Sequence, residues 1–361
     1  MNEAESRRAA RRSAYAMVGT RLSQFGDQRL RDAIAAAPSQ EVGIGGRAAQ
    51  LDVEGVHVFV KRIPLTDLEL RREHLRSTAN LFDLPLCYQY GIGSAGFGAW
   101  RELAAHLLTT GWVLAGAHAG FPLLYHWRVL PDGPPEGFVD EFGGIDGAVA
   151  HWEGEPAVRR RLEAIGRSSA SLMLFLEHLP QTLAAWLAAA RTAARTPSEA
   201  GGHYQWVEDE LARGTAFMSS HGLVHFDAHF RNLLTDGRQV YFADFGLALS
   251  RDFALSPQEA AFLTDHLDYD RYYAPWHLLR YHVLPDACQG GDCETVVSPE
   301  ARLRAWLAGR RPDVPPRVAA LLDRHARSAL LLDDFHRRLL TRSKRTPFPA
   351  AALRRAEGER R

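Results

Sequence analysis

Apolar residues recur at roughly helical spacing through residues 1–36, at Tyr15, Val18, Leu22, Phe25 and Leu30, in an Ala-rich stretch that Pro38 closes. From Val42 to Lys61 the period shortens to two. The turn Gly43-Ile44-Gly45-Gly46-Arg47 leads into alternating Ala49, Leu51 and Val53, Glu54-Gly55 reverses the chain, and Val56–Lys61 reads as a second strand. Helical patterns follow over Leu65–Ala79 and over Ala99–Leu108, separated by the glycine-rich link Gly91 to Gly98. Phe121–Leu130 and Ser171–Leu176 are apolar runs of strand length. Between them lie a Gly-, Pro- and acid-rich stretch, Pro131 to Pro156, which reads as a long loop or flap, and a helix around 157–165.

The second half is mostly helical. Gln181–Arg195 is an Ala/Leu helix, broken by Thr196-Pro197-Ser198 and Gly201-Gly202, and Tyr204–His221 is the next. A short loop then leads to two small apolar strands, Leu233-Leu234 and Val240–Ala243, around the tight turn Thr235-Asp236-Gly237-Arg238. Helical patterns resume from Trp276, over Arg302–Leu307, Pro316–Phe335 and Phe335–Leu340, before a polar tail at 354–361. Strands early and helices late predict an α+β chain.

At 361 residues the chain has room for two lobes, and 46% hydrophobic with 24% charged residues is a globular balance. Lys+Arg and Asp+Glu are equal at 43 each, so no net charge argues for nucleic-acid or membrane-surface partners. No apolar run approaches the ~20 residues of a membrane span. The N-terminus carries arginines without the apolar core of a secretory signal. Cys87, Cys288 and Cys293 form neither a metal-binding set nor a disulfide framework. Together these predict a cytoplasmic protein.

The candidate chemistry lies at one end of the small hairpin. His225-Phe226-Asp227 and Asn232 follow the pattern H-x-D-x-x-x-x-N, and Asp244-Phe245-Gly246 comes directly after the second strand. Phosphoryl transfer needs such a set: a carboxylate to orient the attacking hydroxyl, with an amide and a second carboxylate to hold magnesium on the phosphates.

In this motif order the chain resembles the protein-kinase-like superfamily. The resemblance implies a two-lobed protein-kinase-like fold: an N-terminal helical extension over 1–40, an antiparallel-sheet N-lobe with insertions over 41–179, and a mostly helical C-lobe over 180–361. It implies ATP and Mg2+ as cofactors, with Asp227 orienting the acceptor and Asn232 and Asp244 holding the metal. Val58-Phe59-Val60-Lys61 is similar to the strand whose lysine grips the α- and β-phosphates. Gly43, Gly45 and Gly46 stand where a glycine-rich turn would approach the nucleotide. The order of elements selects Glu102, over Glu69 and Glu73, as the carboxylate that holds Lys61. Glu177 and Leu179 fall at the hinge, where backbone groups would bond the adenine, and His229 falls near the γ-phosphate.

The chain also departs from the family. The glycine pattern is G-x-G-G, and Phe226 replaces the arginine that reads a phosphorylated activation segment. Activity is therefore expected not to depend on phosphorylation of Ser250, Ser256, Thr264, Tyr269, Tyr272 or Tyr273. His229 makes the loop similar to aminoglycoside-type phosphotransferases, whereas Asp244-Phe245-Gly246-Leu247-Ala248 looks like the protein kinases. The signature that closes the activation segment is only hinted at by Ala274-Pro275-Trp276. The expected activity is phosphoryl transfer to an acceptor hydroxyl, protein Ser/Thr kinase-like. A small-molecule kinase and a pseudokinase scaffold are the alternatives.

Overall fold

The alternation ahead of Lys61 becomes sheet in the computed structural model, which describes residues 3–37, 39–42, 46–286 and 298–358. β1 (Ser39–Val42) and β2 (Gly46–Val53) form a hairpin with Val42 opposite Gly46, and β3 (Val56–Leu65) pairs next to β2. β4 (Leu124–Pro131) and β5 (Ala170–Glu177) complete an antiparallel sheet of order β1-β2-β3-β5-β4. β5 lies between β3 and β4 and is covered on both faces, which is why its sequence is a continuous apolar run.

One face of the sheet presents Val58, Val60, Met173 and Phe175 to α1 (Glu3–Ser23) and α2 (Asp27–Ala36), which contribute Val18, Leu22 and Leu30. The two helices replace the single predicted one, because the chain turns at Gln24 and Phe25 before Gly26 starts the second. Their buried side chains belong to the core of the sheet, and they fall in the same compact unit.

The opposite face presents Leu172, Leu174 and Leu176 to α4 (Ala99–Leu114), through Ala99, Trp100 and Leu103. The helix expected over Leu65–Ala79 is only α3 (Asp67–Leu70), followed by a single tight turn at Arg72–His74. Thr66 and Glu69 form a capping box that starts it, but Arg71 is already extended. The predicted flap is also partly helical. It contains α5 (Ile145–His151) before α6 (Pro156–Ile165), and Val149 and Trp152 pack in a cluster with Phe82, Leu84 and Tyr88.

This first unit comprises Met1–Leu179, Phe245–Ala248 and Phe253–Ser256; the second comprises Pro180–Asp244, Leu249–Asp252 and Pro257–Arg361. The second unit is mostly helical. β6 (Gln181–Thr182) and α7 (Leu183–Ala193) precede the long α8 (Pro197–Ser220). Gly201-Gly202 does not break α8, because Gly201 is a packing position: a Cβ there would meet Val318 and Arg317 at 3.6 and 3.4 Å. β7 (Leu223–Val224), β8 (Leu233–Thr235) and β9 (Val240–Phe242) follow, with β10 (Leu249–Ser250) returning to pair with β7 and β6 pairing with β8.

The remaining helices are α9 (Pro257–His266), α10 (Tyr269–Leu278), the short α11 (Leu284–Asp286), α12 (Pro299–Leu307), α13 (Pro316–Thr341) and α14 (Ala350–Gly358). α13 runs unbroken through the two segments predicted at Phe335, and α8, α10 and α13 pack on one another. The chain is thus α+β with an antiparallel sheet and a helical majority. Among the described residues no helix is long and apolar enough to cross a membrane. Cys288 and Cys293 lie outside the described residues.

Candidate active site

In the first unit, Lys61 pairs with Leu174 in the sheet, and its side chain meets α4. Its Nζ lies 2.6 Å from Oε1 of Glu102, in the first turn of α4, where Glu102 is only 5% exposed. Nε2 of His106, one turn further along, is 3.9 Å from the same oxygen. The glutamate selected by the order of elements is the one that holds the lysine.

The other two glutamates do different things. Glu69 is buried, with Arg161 Nη1 at 2.8 Å on Oε2. Its Oε1 accepts the N–H of Ala99 at 2.8 Å, and its carbonyl accepts the indole N–H of Trp100 at 2.9 Å. Gly98 at the N-cap of α4 has no side chain to cap with, so Glu69 supplies the acceptor that the helix start lacks. Burial pushes the Glu69 carboxyl up, but the Arg161 charge and the Thr66 hydrogen bonds outweigh it and hold it below the usual range. Glu73 is exposed in the turn after α3.

Gly43 and Gly45 lie outside the described residues, and Gly46 opens β2. Glu177 ends β5, and its N–H donates to the Leu123 carbonyl at 2.8 Å. Of the backbone groups expected at the adenine, the Glu177 N–H is thus taken by Leu123, just before β4. The Glu177 carboxylate accepts from Arg11 and from the Leu123 N–H at 3.0 Å. Leu179 ends the first segment of the first unit.

In the second unit, the loop between β7 and β8 is organised by His225. Its Nε2 is 2.8 Å from the Ala243 carbonyl, and its Nδ1 accepts the Asp227 N–H at 3.3 Å. These partners assign a neutral ring with the proton on Nε2. Burial pushes its pKa down to about 4, consistent with that state. His225 thereby ties the residue before Asp244 to the loop that carries Asp227.

Asn232 donates from Nδ2 to Asp227 Oδ2 at 2.9 Å and to the Asp227 carbonyl at 3.1 Å. Its own carbonyl accepts the Ala243 N–H at 3.1 Å. The ladder between β8 and β9 thus sets Asn232 beside Asp227 and leads directly into Asp244. Nδ1 of His229 accepts the Arg231 N–H at 3.2 Å, and its Nε2 lies 3.8 Å from Asp227 Oδ1. Burial lowers the His229 pKa.

One residue of this loop architecture was missed from sequence. Asp270, fully buried in α10, accepts the N–H of His225 at 2.6 Å and of Phe226 at 3.0 Å. Burial raises its pKa to about 7 against those two hydrogen bonds. The available signal was an acid among aromatics in Leu267-Asp268-Tyr269-Asp270-Arg271-Tyr272-Tyr273, where a helical aspartate on the buried face needs donors. Two bulky or charged positions here take left-handed backbone, Phe226 at φ +63° and Asp244 at φ +62°. Strain of this kind persists where surrounding contacts over-determine it.

The donor set fits magnesium. With Nδ2 of Asn232 turned to Asp227, its Oδ1 is the oxygen on the other side of the amide, and Asp244 offers a carboxylate; Mg2+ takes hard oxygen ligands from one or two such groups together with phosphates. Among the described residues no cluster of three or more His, Cys, Asp and Glu forms an all-protein metal cage. No protein-family model matches the chain, and none of the curated proteins matches it.

Proposed function

We propose that the chain is an ATP- and Mg2+-dependent phosphotransferase with a two-lobed protein-kinase-like fold. The observation that carries this reading is the 2.6 Å contact between Lys61 and Glu102, two residues 41 apart. In this reading Lys61, fixed by Glu102, anchors the α- and β-phosphates, and the backbone around Glu177 and Leu179 meets the adenine. Asp227 orients the acceptor hydroxyl and takes its proton. Asn232 and Asp244 hold magnesium, which supplies electrostatic stabilisation of the transferring phosphoryl group. His229, its pKa lowered by burial, stands beside Asp227 as a hydrogen-bonding group at the γ-phosphate.

The segment after Asp244-Phe245-Gly246 favours a small-molecule acceptor over the protein acceptor expected from the motif. Leu249-Ser250 is paired to β7, α9 begins at Pro257, and Ala274-Pro275 is buried inside α10. That leaves a short stretch in which to seat an extended peptide, a mode that needs exposed backbone or a groove.

The test is incubation of purified protein with Mg2+ and γ-labelled ATP, alone, with a generic protein, and with a pool of aminoglycosides and other small alcohols. Label on a small molecule, lost in Asp227→Asn and Asp244→Asn, is expected. Label on protein, lost in both variants, restores the protein-kinase reading. Mg-ATP binding without Asp227-dependent transfer to either acceptor leaves the scaffold reading.

A further inference from the structure

The first half of α1 carries a cluster of four arginines, Arg7, Arg8, Arg11 and Arg12, and Arg11 is paired with a largely buried carboxylate. Arg11 places Nε 2.9 Å from Glu177 Oε1 and Nη2 2.7 Å from Glu177 Oε2. Its Nη1 also donates to the Ala119 carbonyl at 2.9 Å, and Nη2 to the Phe121 carbonyl at 2.6 Å. Both side chains are largely buried, at 14% and 13% exposure, whereas Arg8 and Arg12 are exposed. A fork-to-fork pair with two further carbonyls uses the planar geometry of guanidinium, which lysine cannot reproduce.

We propose that Arg11 is a positioning residue of the nucleotide site and that α1 is the strut through which it acts; the inference rests on the phosphotransferase reading. Glu177 is the last residue of β5, and His178 and Leu179 follow it, so the carboxylate anchored by Arg11 sets where the strand-end backbone lies. The same guanidinium holds the loop through Ala119 and Phe121, which joins α4, the helix bearing Glu102, to β4. One side chain therefore ties the adenine edge and the connection after the lysine-holding helix to a common support. That support is rigid. Val18 and Leu22 of α1 are fully buried on the sheet, and a Cβ on Gly19 would come within 2.9 Å of the Tyr125 carbonyl on β4.

Loss of Arg11 displaces the adenine edge and leaves Asp227, Asn232 and Asp244 as they are. Nucleotide affinity falls and turnover of bound nucleotide is largely kept. The test compares wild type, Arg11→Ala, Arg11→Lys and Glu177→Gln with the exposed controls Arg8→Ala and Arg12→Ala. Mg-ATP Kd is measured by calorimetry at a temperature where circular dichroism finds every variant folded, alongside ATP KM and kcat. Arg11→Ala is expected to raise Kd and KM about tenfold with kcat within about threefold, Arg11→Lys and Glu177→Gln falling between it and wild type. The controls are expected to match wild type.

A folded Arg11→Ala that binds Mg-ATP as wild type does overturns the proposal, even if its melting temperature drops. Should Arg11→Ala fail to fold, Arg11→Lys and Glu177→Gln take its place, and wild-type Mg-ATP affinity in both overturns the proposal equally. Wild type that binds no Mg-ATP overturns the phosphotransferase reading and this inference together. Wild type that binds, without Asp227-dependent transfer, overturns the enzyme reading alone, and the affinity comparison still decides the role of Arg11.

Discussion

Phe226 donates its backbone N–H to Oδ1 of Asp270 at 3.0 Å while its own φ is +63°. A bulky residue in this region costs on the order of 1–3 kcal/mol, so the loop holds its shape because Asp270 and the Phe226 ring hold it. Asp270→Ala leaves two buried N–H groups without their acceptor. The expected loss is about 2–5 kcal/mol in stability, read from the urea midpoint, with Asp227-dependent transfer abolished. An Asp270→Ala variant of wild-type stability and activity would remove Asp270 from this role.

The three glutamates considered as partners of Lys61 separate by phenotype. Glu102→Gln and Lys61→Met are expected to lower ATP turnover at least about a hundredfold with little change in melting. Glu69→Ala leaves the buried Arg161 without its carboxylate and the start of α4 without its acceptor, whereas Glu69→Gln removes the charge but keeps an amide oxygen. The alanine change is expected to cost about 3–5 kcal/mol of stability, seen in thermal or urea melts. Glu73→Ala is expected to change neither.

Phosphorylation is not expected to control the site. The Phe226 ring, in the phosphotransferase reading at the position of a phosphate-reading cation, is buried against Phe262 at 5.7 Å and Tyr269 at 4.9 Å. Ser250, Tyr269, Tyr272 and Tyr273 are themselves buried. The remaining two hydroxyls, Ser256 and Thr264, are exposed, and the double alanine variant is expected to keep wild-type turnover. Loss of turnover in that variant, with folding intact by circular dichroism, would contradict this.

Acid is expected to unfold the second unit early. Burial pushes His225, His266, His282 and His336 down to about 4 and His277 down to about 3. A depressed folded-state pKa means the neutral ring stabilises the fold: the contribution is present above the ordinary 6.5 and is lost as pH falls through about 4. Glu208, on α8, is pushed up by burial but held down to about 2 by the hydrogen bonds and charges of His325 and Arg324 on α13. Its contribution is lost between 4.5 and about 2. Asp270 acts oppositely, its contribution being greatest below 3.8 and lost as pH rises through about 7. Urea midpoints measured from pH 7.5 to 4 are expected to fall steadily, and a His277→Phe variant should flatten that fall.

The residues proposed to carry chemistry were legible because their order along the chain is itself the signal. Asp227, Asn232 and Asp244 are joined by a hairpin short enough for periodicity and turn residues to define it, and β9 ends one residue before Ala243. Glu102 was separable from Glu69 and Glu73 by the position of its helix before β4. What was not legible depended on partners distant in sequence. Thr66 and Glu69 begin a helix as their local pattern dictates. Glu69 is bonded to Ala99 and Arg161, 30 and 92 residues away, and the chain leaves helix at Arg71. Gly201-Gly202 reads as a break in one dimension, yet Gly201 is a flat place for α13 to pack.

Local pattern was enough for the alternation of β2 and β3, the buried run of β5, the hairpin and the motif spacing, since each is set by contacts within a few residues or by a periodicity of two or 3.6. Long-range packing was needed to choose Arg11, from four similar arginines, as the one that grips Glu177, and to bring Asp270 to the loop at Phe226. Both depend on which buried groups meet after folding. Desolvation makes an unpartnered buried charge too costly to leave, and no local pattern records where its partner is.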